Sequence, residues 1–438
     1  MSEQVKQENV PKWLTGRGRV DEVEFAREYY RKHYLAYQDK AFFSPEGRIT
    51  DEDALRRSIY QELSGYISTG VFARVDSIMS TLRLECPSKG LEERLEDIMD
   101  IPVANGTYRL DTGFSPMKHL TRYRLPVNYN PDAPEPVTWL KFLGELLHEE
   151  DIPTLQEYMG YCLVPSTIAQ KMLIITGQGG EGKSRVGIVM KSLLGCNMCV
   201  NSIAKVEQNP FARADLQHML LMVDDDLRMD ALKSTNYLKS IITAELPMDL
   251  ERKGVQSYQG KLNVRFLAFG NETLQALHDR SHGFFRRQII LTAKEKDPKR
   301  KDDPYLRYLL EGEREGILLW CLEGLQRLIV SDFQFTISKR AAENLRESIS
   351  RGNNIPEFMT SDGYIRYEAD AVITSRNLYE TYRDWCADNA MIPLAAATFW
   401  GYLSQNLVTY GLTITRSIPI GNGKYARGYQ GLRALNRY

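Results

Sequence analysis

Residues 173 to 187 read LIITGQGGEGKSRVG, and the chemistry that this spacing offers is capture of a polyphosphate. The positions Gly177-x-x-x-x-Gly182-Lys183-Ser184 form a phosphate-binding loop between an apolar strand and an amphipathic helix that ends near Gly195. Gly177, Gly179, Gly180 and Gly182 let the backbone turn tightly and aim its N–H groups inward, and the helix N-terminus adds its positive dipole end at the same spot. Lys183 is expected to reach the β- and γ-phosphates of a nucleoside triphosphate, and the Ser184 hydroxyl to ligate Mg²⁺. Glu181 and Arg185, inside the loop and just after it, belong to the same nucleotide-binding set. A Gly-rich turn that holds no nucleotide is the alternative, and the full motif in a strand-to-helix context argues against it.

The remaining chemistry stands downstream in a fixed order. An apolar run after His218 ends in Asp224-Asp225-Asp226, and a parallel strand next to the phosphate loop would set these carboxylates beside the Mg²⁺ on Ser184. Asp224 is assigned to the metal, mainly through water, and Asp225 to polarising the attacking water; Asp226 is the least firmly placed. A second strand, Leu262 to Phe269, ends at Gly270-Asn271-Glu272, where the Asn271 amide can bond both the attacking water and the γ-phosphate. Gly283-Phe-Phe-Arg286-Arg287 then places two arginines ahead of another strand. An arginine supplied across a subunit boundary stabilises charge on a transferring phosphoryl group, with Arg286 the first candidate and Arg287 either a second or a structural ion pair. Between the two strands, Asp249 to Lys261 reads as a polar hairpin whose tip carries Lys253, Tyr258 and Lys261, a cation and aromatic mixture suited to a single-stranded backbone.

The elements that must position these groups are legible in outline. Residues 1 to about 100 look helical, with apolar spacing of three and four residues over Val23 to Tyr37, Asp53 to Tyr66, Val71 to Leu82 and Leu91 to Met99. Tyr29, Tyr30, Tyr34 and Tyr37 at helical spacing read as packing before they read as a stacking platform. From Ile101, short alternating segments around Asn105-Gly106 suggest a β-rich connector, followed by helices over Thr138 to Leu147 and Pro153 to Tyr161. The C-terminal stretch reads as helices over Ser375 to Asn389 and Ala395 to Tyr410, then a hairpin from Leu412 to Leu432 around Gly421-Asn-Gly423.

Composition narrows the class. The chain has 438 residues, 43% apolar and 26% charged, enough for two or three domains, and neither a secretory signal nor an apolar run long enough to span a membrane appears, so a cytoplasmic protein is expected. The net charge of −1 excludes a surface that is basic everywhere, yet no acidic residue follows Asp388 while Arg416, Lys424, Arg427, Arg433 and Arg437 remain. The only close cysteine pair, Cys196-x-x-Cys199, has no second pair or neighbouring histidine for zinc, and two buried thiols fit it better than a redox couple.

Taken in this order, loop, triple-Asp strand, Lys-tipped hairpin, Asn-ended strand and paired arginines, the chain resembles the superfamily 3 helicases, and more narrowly the helicase portion of phage, plasmid and poxvirus primase-helicases. The resemblance extends over about three-quarters of the chain through Asn105-Gly106, Pro126-Val-Asn-Tyr129-Asn-Pro131, Gln156-Glu157-x-x-Gly160-Tyr161-x-Leu163-x-Pro165, Glu315-Gly316-Ile-Leu-x-Trp320, Gly324 and Leu378-Tyr379-x-x-Tyr382-x-x-Trp385-Cys386. It implies an AAA+-like parallel-sheet ATPase core, ATP with Mg²⁺ bound between subunits of a homo-hexameric ring, and a DNA-contacting hairpin lysine, here Lys253. It also agrees with a C-terminal winged-helix module whose wing offers Lys424 and Arg427 to phosphates, the alternative being a module that only packs. Where the family often has Glu, this chain has Asp225, and its N-terminal residues hold no primase motif, so a separate primase or polymerase is the expected partner.

The expected architecture is α/β, with an N-terminal helical domain (1–100), a β-rich collar (101–165), the ATPase core (166–300), a helical linker (301–350) and a winged-helix domain (351–438). The expected activity is ATP-driven unwinding of forked DNA by translocation on one strand. An initiator or loader that uses nucleotide as an assembly switch is the rival reading, and a small-molecule phosphotransferase is a more distant one.

Overall fold

The computed structural model of the protein describes residues 11–435 apart from 17, 88–97, 228–233, 272–281, 301–302, 390 and 392. The chain divides into two units, one comprising Met1–Leu227, Asn236–Asn271 and Leu291–Ser338, the other Arg228–Thr235, Glu272–Ile290 and Lys339–Tyr438.

The N-terminal part of the first unit is mixed rather than helical. After the short antiparallel pair β1 (Leu14–Thr15) and β2 (Arg19–Val20) comes α1 (Glu22–Lys32), whose start is capped by Asp21 accepting from the Val23 and Glu24 amides. The helix stops five residues before the expected Tyr37. The backbone turns left-handed at Tyr34, Asp39 and Lys40, and β3 (Ala36–Gln38), β4 (Ala41–Ser44) and β5 (Gly47–Ile49) form an antiparallel meander. Strands of three or four residues are too short to show alternation in sequence. Phe42 and Phe43 nonetheless point to opposite faces, Phe42 into the core of α1, α2 (Glu52–Ser64) and α3 (Val71–Glu85), and Phe43 against Ala36. Tyr29 is buried with its hydroxyl on Ser58, and Tyr37 packs on Phe42, so these tyrosines are packing residues; Tyr34 is exposed. The helix expected over Leu91 to Met99 lies largely outside the described residues.

The β-rich connector is present as the meander β6 (Asp100–Val103), β7 (Gly106–Arg109) and β8 (Gly113–Ser115). Asn105, in the β6–β7 turn, clasps the Tyr129 backbone with both ends of its amide at 2.9 Å. Next come α4 (Val137–Leu146) and α5 (Ile152–Tyr161), which lead into the central sheet.

That sheet takes β9 (Met172–Thr176), β10 (Met198–Val200), β11 (Leu221–Asp224), β14 (Arg265–Gly270) and β15 (Gln288–Thr292) in the order β10-β11-β14-β9-β15. The β10–β11, β11–β14 and β14–β9 ladders are parallel, and β9, β11 and β14 are buried along their whole length, which is why β9 and β11 read as apolar runs. Helix α6 (Ser184–Leu194) follows β9, α7 (Ile203–Gln208) and α8 (Pro210–Ala214) follow β10, and α9 (Asn236–Thr243) follows β11. The hairpin β12 (Met248–Arg252) and β13 (Val255–Gly260) is a separate two-stranded sheet, and α10 (His282–Phe285) precedes β15. One expectation is corrected: the acidic strand β11 does not adjoin the phosphate-loop strand, because β14 lies between them. Arg265 is buried, with its guanidinium on the carbonyls of Ser166, Asn263 and Cys162 and over the Tyr161 ring.

Helices α11 (Leu306–Gly312) and α12 (Arg314–Val330) close the first unit. A Cβ on Gly160 would run into the Cys321 carbonyl and one on Gly324 into the Gln156 carbonyl, so both glycines are fixed by the close approach of α5 and α12. Glu157 is buried there and pairs with Arg327 at 2.6 Å. Among the described residues, no helix is long and apolar enough to cross a membrane.

In the second unit, α13 (Lys339–Gly352) and α14 (Ile355–Thr360) precede β16 (Ile365–Thr374), α15 (Ser375–Asp388), α16 (Ala396–Gln405), β17 (Thr413–Pro419) and β18 (Tyr425–Ala434). The three strands form an antiparallel sheet ordered β16-β18-β17. Phe358, Tyr382, Trp385 and Phe399 pack at its centre, with the Tyr382 and Phe399 rings 4.6 Å apart. Strand β16 escaped the sequence reading because most of its residues face solvent and carry no alternation.

Candidate functional site

The phosphate loop is built where β9 gives way to α6. Gly179, Gly180 and Gly182 have φ of 110°, 84° and 105°, values that side-chain-bearing residues rarely adopt, so the loop shape requires glycine at all three. Gly177 has ordinary φ and is constrained only by the movable ends of two side chains. A Cβ there would lie 2.7 Å from a Glu181 carboxylate oxygen and 2.9 Å from Lys183 Nζ.

Those two side chains are the centre of the loop. Glu181 Oε1 accepts the Gly179 N–H at 2.8 Å and Glu181 Oε2 accepts from Lys183 Nζ at 2.7 Å, with both residues buried. Burial pushes the Glu181 carboxyl upward, but the hydrogen bonds from Lys183 and from the loop amides outweigh it and hold the group below its usual range. A carboxylate of the chain itself thus engages the donors that the motif offers to a phosphate.

A cleft of about 820 Å³ opens over the loop. Its lining includes Gly179 through Arg185, Asp225, Asp226 and Asn271, so the ends of β9, β11 and β14 converge on it. Ligands in open parallel sheets bind at these carboxyl ends. Asn271 Oδ1 lies 4.0 Å from where a Gly179 Cβ would stand, which places its amide over the loop.

Asp224 is placed differently from its expected part. It is 4% exposed, outside the cleft lining, and its oxygens accept the Ile203 N–H at 2.7 Å and the Asp226 N–H at 3.3 Å. Burial raises its pKa despite these bonds. It therefore caps the first turn of α7 and anchors the acidic turn, and the carboxylates presented to the cleft are those of Asp225 and Asp226, both exposed.

The oxygen donors collected here, a Ser184 hydroxyl, two carboxylates and the Asn271 amide, are of the hard type that suits Mg²⁺ held together with phosphate oxygens, and the Gly177 cradle is the close approach that a phosphate requires. Among the described residues, no group of three or more His, Cys, Asp or Glu is arranged to hold a metal with protein ligands alone.

Several lining residues carried no motif. Phe142 from α4 lies 3.3 Å from a Gly182 Cβ position, and Arg300 donates to the Glu181 carbonyl at 2.9 Å and the Gly180 carbonyl at 3.4 Å. The loop backbone is thus braced from both sides. Leu306 and Leu309 of α11 add an apolar stretch. Nothing in local spacing links residues 142, 182 and 300; only the fold does.

The hairpin is present, but its tip is Lys253-Gly254, with Gly254 at φ 74°. Tyr258 is not at the tip: it pairs across from Leu250, and its hydroxyl donates to Gln217 Oε1 at 2.7 Å. Lys261 follows the end of β13 and is exposed. In the second unit, Arg286 is exposed, and Arg287 donates to the Gly283 carbonyl. Lys424 and Arg427 are also exposed, Lys424 in the turn between β17 and β18 where Gly421, Asn422 and Gly423 are all left-handed, and Arg427 at the start of β18. Arg433 pairs with Glu368 at 2.9 Å, and Arg437 lies outside the described residues. Of the cysteine pair, Cys196 is exposed, against expectation, and burial pushes the Cys199 thiol up to about 11, away from reactivity.

Comparisons with known proteins agree with this architecture. A model of a family of unknown function, DUF5906, matches residues 175–287, the segment from the phosphate loop to the paired arginines. No curated protein matches. Among solved structures, the chain is similar to the apo C-terminal region of NrS-1 at 12% identity, with TM-scores of 0.52 and 0.54 for two structures of it. The alignments cover 94% of this chain and 99% and 100% of those chains. The fold is therefore shared over nearly the whole length, a mixed α/β fold whose five-stranded sheet fits a phosphate-loop core.

Proposed function

We propose that the protein is an ATP-dependent replicative DNA helicase of a phage or other mobile element, of the superfamily 3 type, working as a hexameric ring on single-stranded DNA. The observation that carries this reading is the convergence of Lys183, Ser184, Asp225, Asp226 and Asn271 on one cleft at the carboxyl ends of β9, β11 and β14. The AAA+-like assignment rests on that sheet. The winged-helix assignment rests on the order α14-β16-α15-α16-β17-β18, with the basic turn at Lys424 and Arg427 as the wing.

In this reading, Lys183 leaves Glu181 for the β- and γ-phosphates of ATP, and Ser184 with Asp226 holds Mg²⁺, which neutralises phosphate charge when bound. Asp225 orients and polarises the attacking water, and Asn271 senses whether the γ-phosphate is present. Arg286 is supplied to a neighbouring subunit's site, and the Lys253 hairpin tip shifts along the DNA with nucleotide state. Separating a base pair costs about 1.4 kcal/mol per stacked step, within reach of a few charge-assisted contacts changed per cycle.

The test is strand displacement on a forked DNA with no partner present. Parent protein is expected to unwind it, Lys183→Ala to lose both hydrolysis and unwinding, and Lys253→Ala to hydrolyse ATP without unwinding. The exposed basic turn at Lys424 also favours a second reading, an ATP-switched initiator or loader. Absence of displacement together with tight, sequence-selective duplex binding would establish that one instead.

A further inference from the structure

We propose that the groove between the β3–β5 sheet and the β12–β13 hairpin binds the phosphodiester backbone of single-stranded DNA, making the N-terminal sheet one jaw of a clamp whose other jaw is the hairpin. This rests on the reading that the protein acts on DNA, and it gives the N-terminal region a part in that action. The groove has a volume of about 820 Å³, separate from the phosphate cleft, and Lys40, Arg48, His218, Arg252 and Lys253 contribute to its lining.

Its cations are not neutralised from within. Lys40 Nζ lies 5.2 Å from the centre of the Tyr258 ring, Arg48 donates to the Cys196 carbonyl at 2.9 Å, and Arg252 donates to Gln217 Oε1 at 2.8 Å. Lys253 is exposed at the hairpin tip. Among the described residues, none of the four pairs with a carboxylate. Of the acidic residues on the same lining, Glu52 is already held by Arg83 at 2.7 Å, which leaves Asp215 and Glu251. Four cations, three of them partnered only by a carbonyl, an amide or a ring and the fourth exposed at the tip, set along one groove, match the repeating charge of a nucleic-acid backbone.

Two further features single the groove out. The backbone is left-handed at Asp39, Lys40 and His218, none of them glycine, and such strain persists where surrounding structure imposes it, often at ligand clamps. His218 is 6% exposed, and its Nε2 is buried with no hydrogen-bond partner. Burial and the neighbouring Arg122 and Arg48 favour the neutral ring, a hydrogen bond with the Asp39 backbone takes up one nitrogen, and the unpartnered Nε2 is left to accept from a polar base edge on the groove floor. Tyr258 joins the jaws, because Lys40 and Arg252 both approach its ring while its hydroxyl holds Gln217. Movement of the hairpin would therefore move a wall of the groove.

The experiment is fluorescence anisotropy of a labelled oligo-dT across a salt series, comparing the full-length parent with the Lys40→Ala/Arg48→Ala double variant. Affinity is expected to fall about tenfold, and the log–log salt slope to become shallower by about 1.4, or ~0.7 for each lost phosphate contact on a single strand. The charge-keeping pair Lys40→Arg/Arg48→Lys should restore the parent slope. An unchanged slope in the alanine variant, whether or not affinity falls, overturns the groove. Photocrosslinking of a 4-thiothymidine oligonucleotide to the unmodified protein provides a readout independent of variant folding, with adducts expected at Tyr258 or His218 and their absence counting against the proposal. A parent that binds no single strand at all would remove the DNA reading itself, whereas a parent that binds with an unmoved slope removes only the groove.

Discussion

Replacing Glu181 with glutamine tests the loop most directly. In the structure its carboxylate accepts from Lys183 Nζ at 2.7 Å and from the Gly179 amide at 2.8 Å, so any phosphate seated in the loop must take over these donors. A hydrogen bond to a charged group contributes about 1.5–3 kcal/mol and a neutral one about 0.5–1.5 kcal/mol. Glutamine keeps the shape, but its single carbonyl oxygen can accept from only one of the two donors, and with that oxygen on Lys183 the hold on the ammonium weakens by about 1–2 kcal/mol. That loss falls on the ligand-free protein and not on the phosphate-bound one. ADP should therefore bind Glu181→Gln about 5- to 30-fold more tightly than the parent, while the ligand-free variant loses a comparable ~1–2 kcal/mol of stability. Isothermal titration with ADP measures the first effect and urea unfolding the second. Adenosine, which has no phosphate, provides the control and should bind both proteins alike. If ADP binds the variant no more tightly than the parent, or if adenosine gains as much as ADP, the carboxylate does not compete with phosphate and the reasoning fails.

The three aspartates should separate by assay. Asp225→Asn is expected to lose at least about a hundredfold in ATP turnover while keeping ADP affinity, whereas Asp224→Ala should cost about 1 kcal/mol of stability through the lost cap of α7; an Asp224→Ala protein that melts like the parent would return Asp224 to the metal. His218 has its pKa pushed down to about 4 by burial and by nearby Arg122 and Arg48, with Asp39 opposing. The folded protein thus binds this proton more weakly than the unfolded chain, whose value is near 6.5, so stability is complete above about pH 6.5 and declines as pH falls toward 4. Between pH 7 and pH 5 the parent should lose about 2 kcal/mol relative to His218→Asn in urea unfolding, and parallel pH curves would refute this. Arg286→Ala should abolish ATP hydrolysis and, mixed with parent protein, lower the parent's rate beyond simple dilution. A strictly proportional rate would argue that each subunit's site is complete without its neighbour.

Sequence legibility followed the range of the interactions involved. The loop glycines, Lys183 and Ser184 could be read directly because strand, turn and helix N-terminus are contiguous, and each positive φ answers a glycine at that position. The buried strands β9 and β11 were legible because burial on both faces demands apolar runs. The meander β3–β5 was hidden by its length, and β16 by its exposure. Tyr258 was assigned to a hairpin tip because spacing does not fix register; the pairing of Leu250 with Tyr258 and of Arg252 with Val255 puts the turn at Lys253-Gly254.

The sequence by itself determined that a glycine-rich strand-to-helix loop carrying Lys183 and Ser184 exists, that an acidic strand end and an Asn-ended strand follow it, and that a hairpin with a lysine at its tip stands between them, since each depends on residues adjacent in the chain. Only the tertiary structure decided which carboxylates the cleft receives. Asp224 and Asp225 are neighbours, yet the last residue of β11 turns inward to the Ile203 amide while the next two face the cleft. It also decided that Glu181 meets Lys183, that Arg300 and Phe142 brace the loop, and that Lys40 reaches Tyr258. The physical reason is that side-chain direction at a strand end, and contact between residues far apart in the chain, are set by packing, which local spacing does not encode.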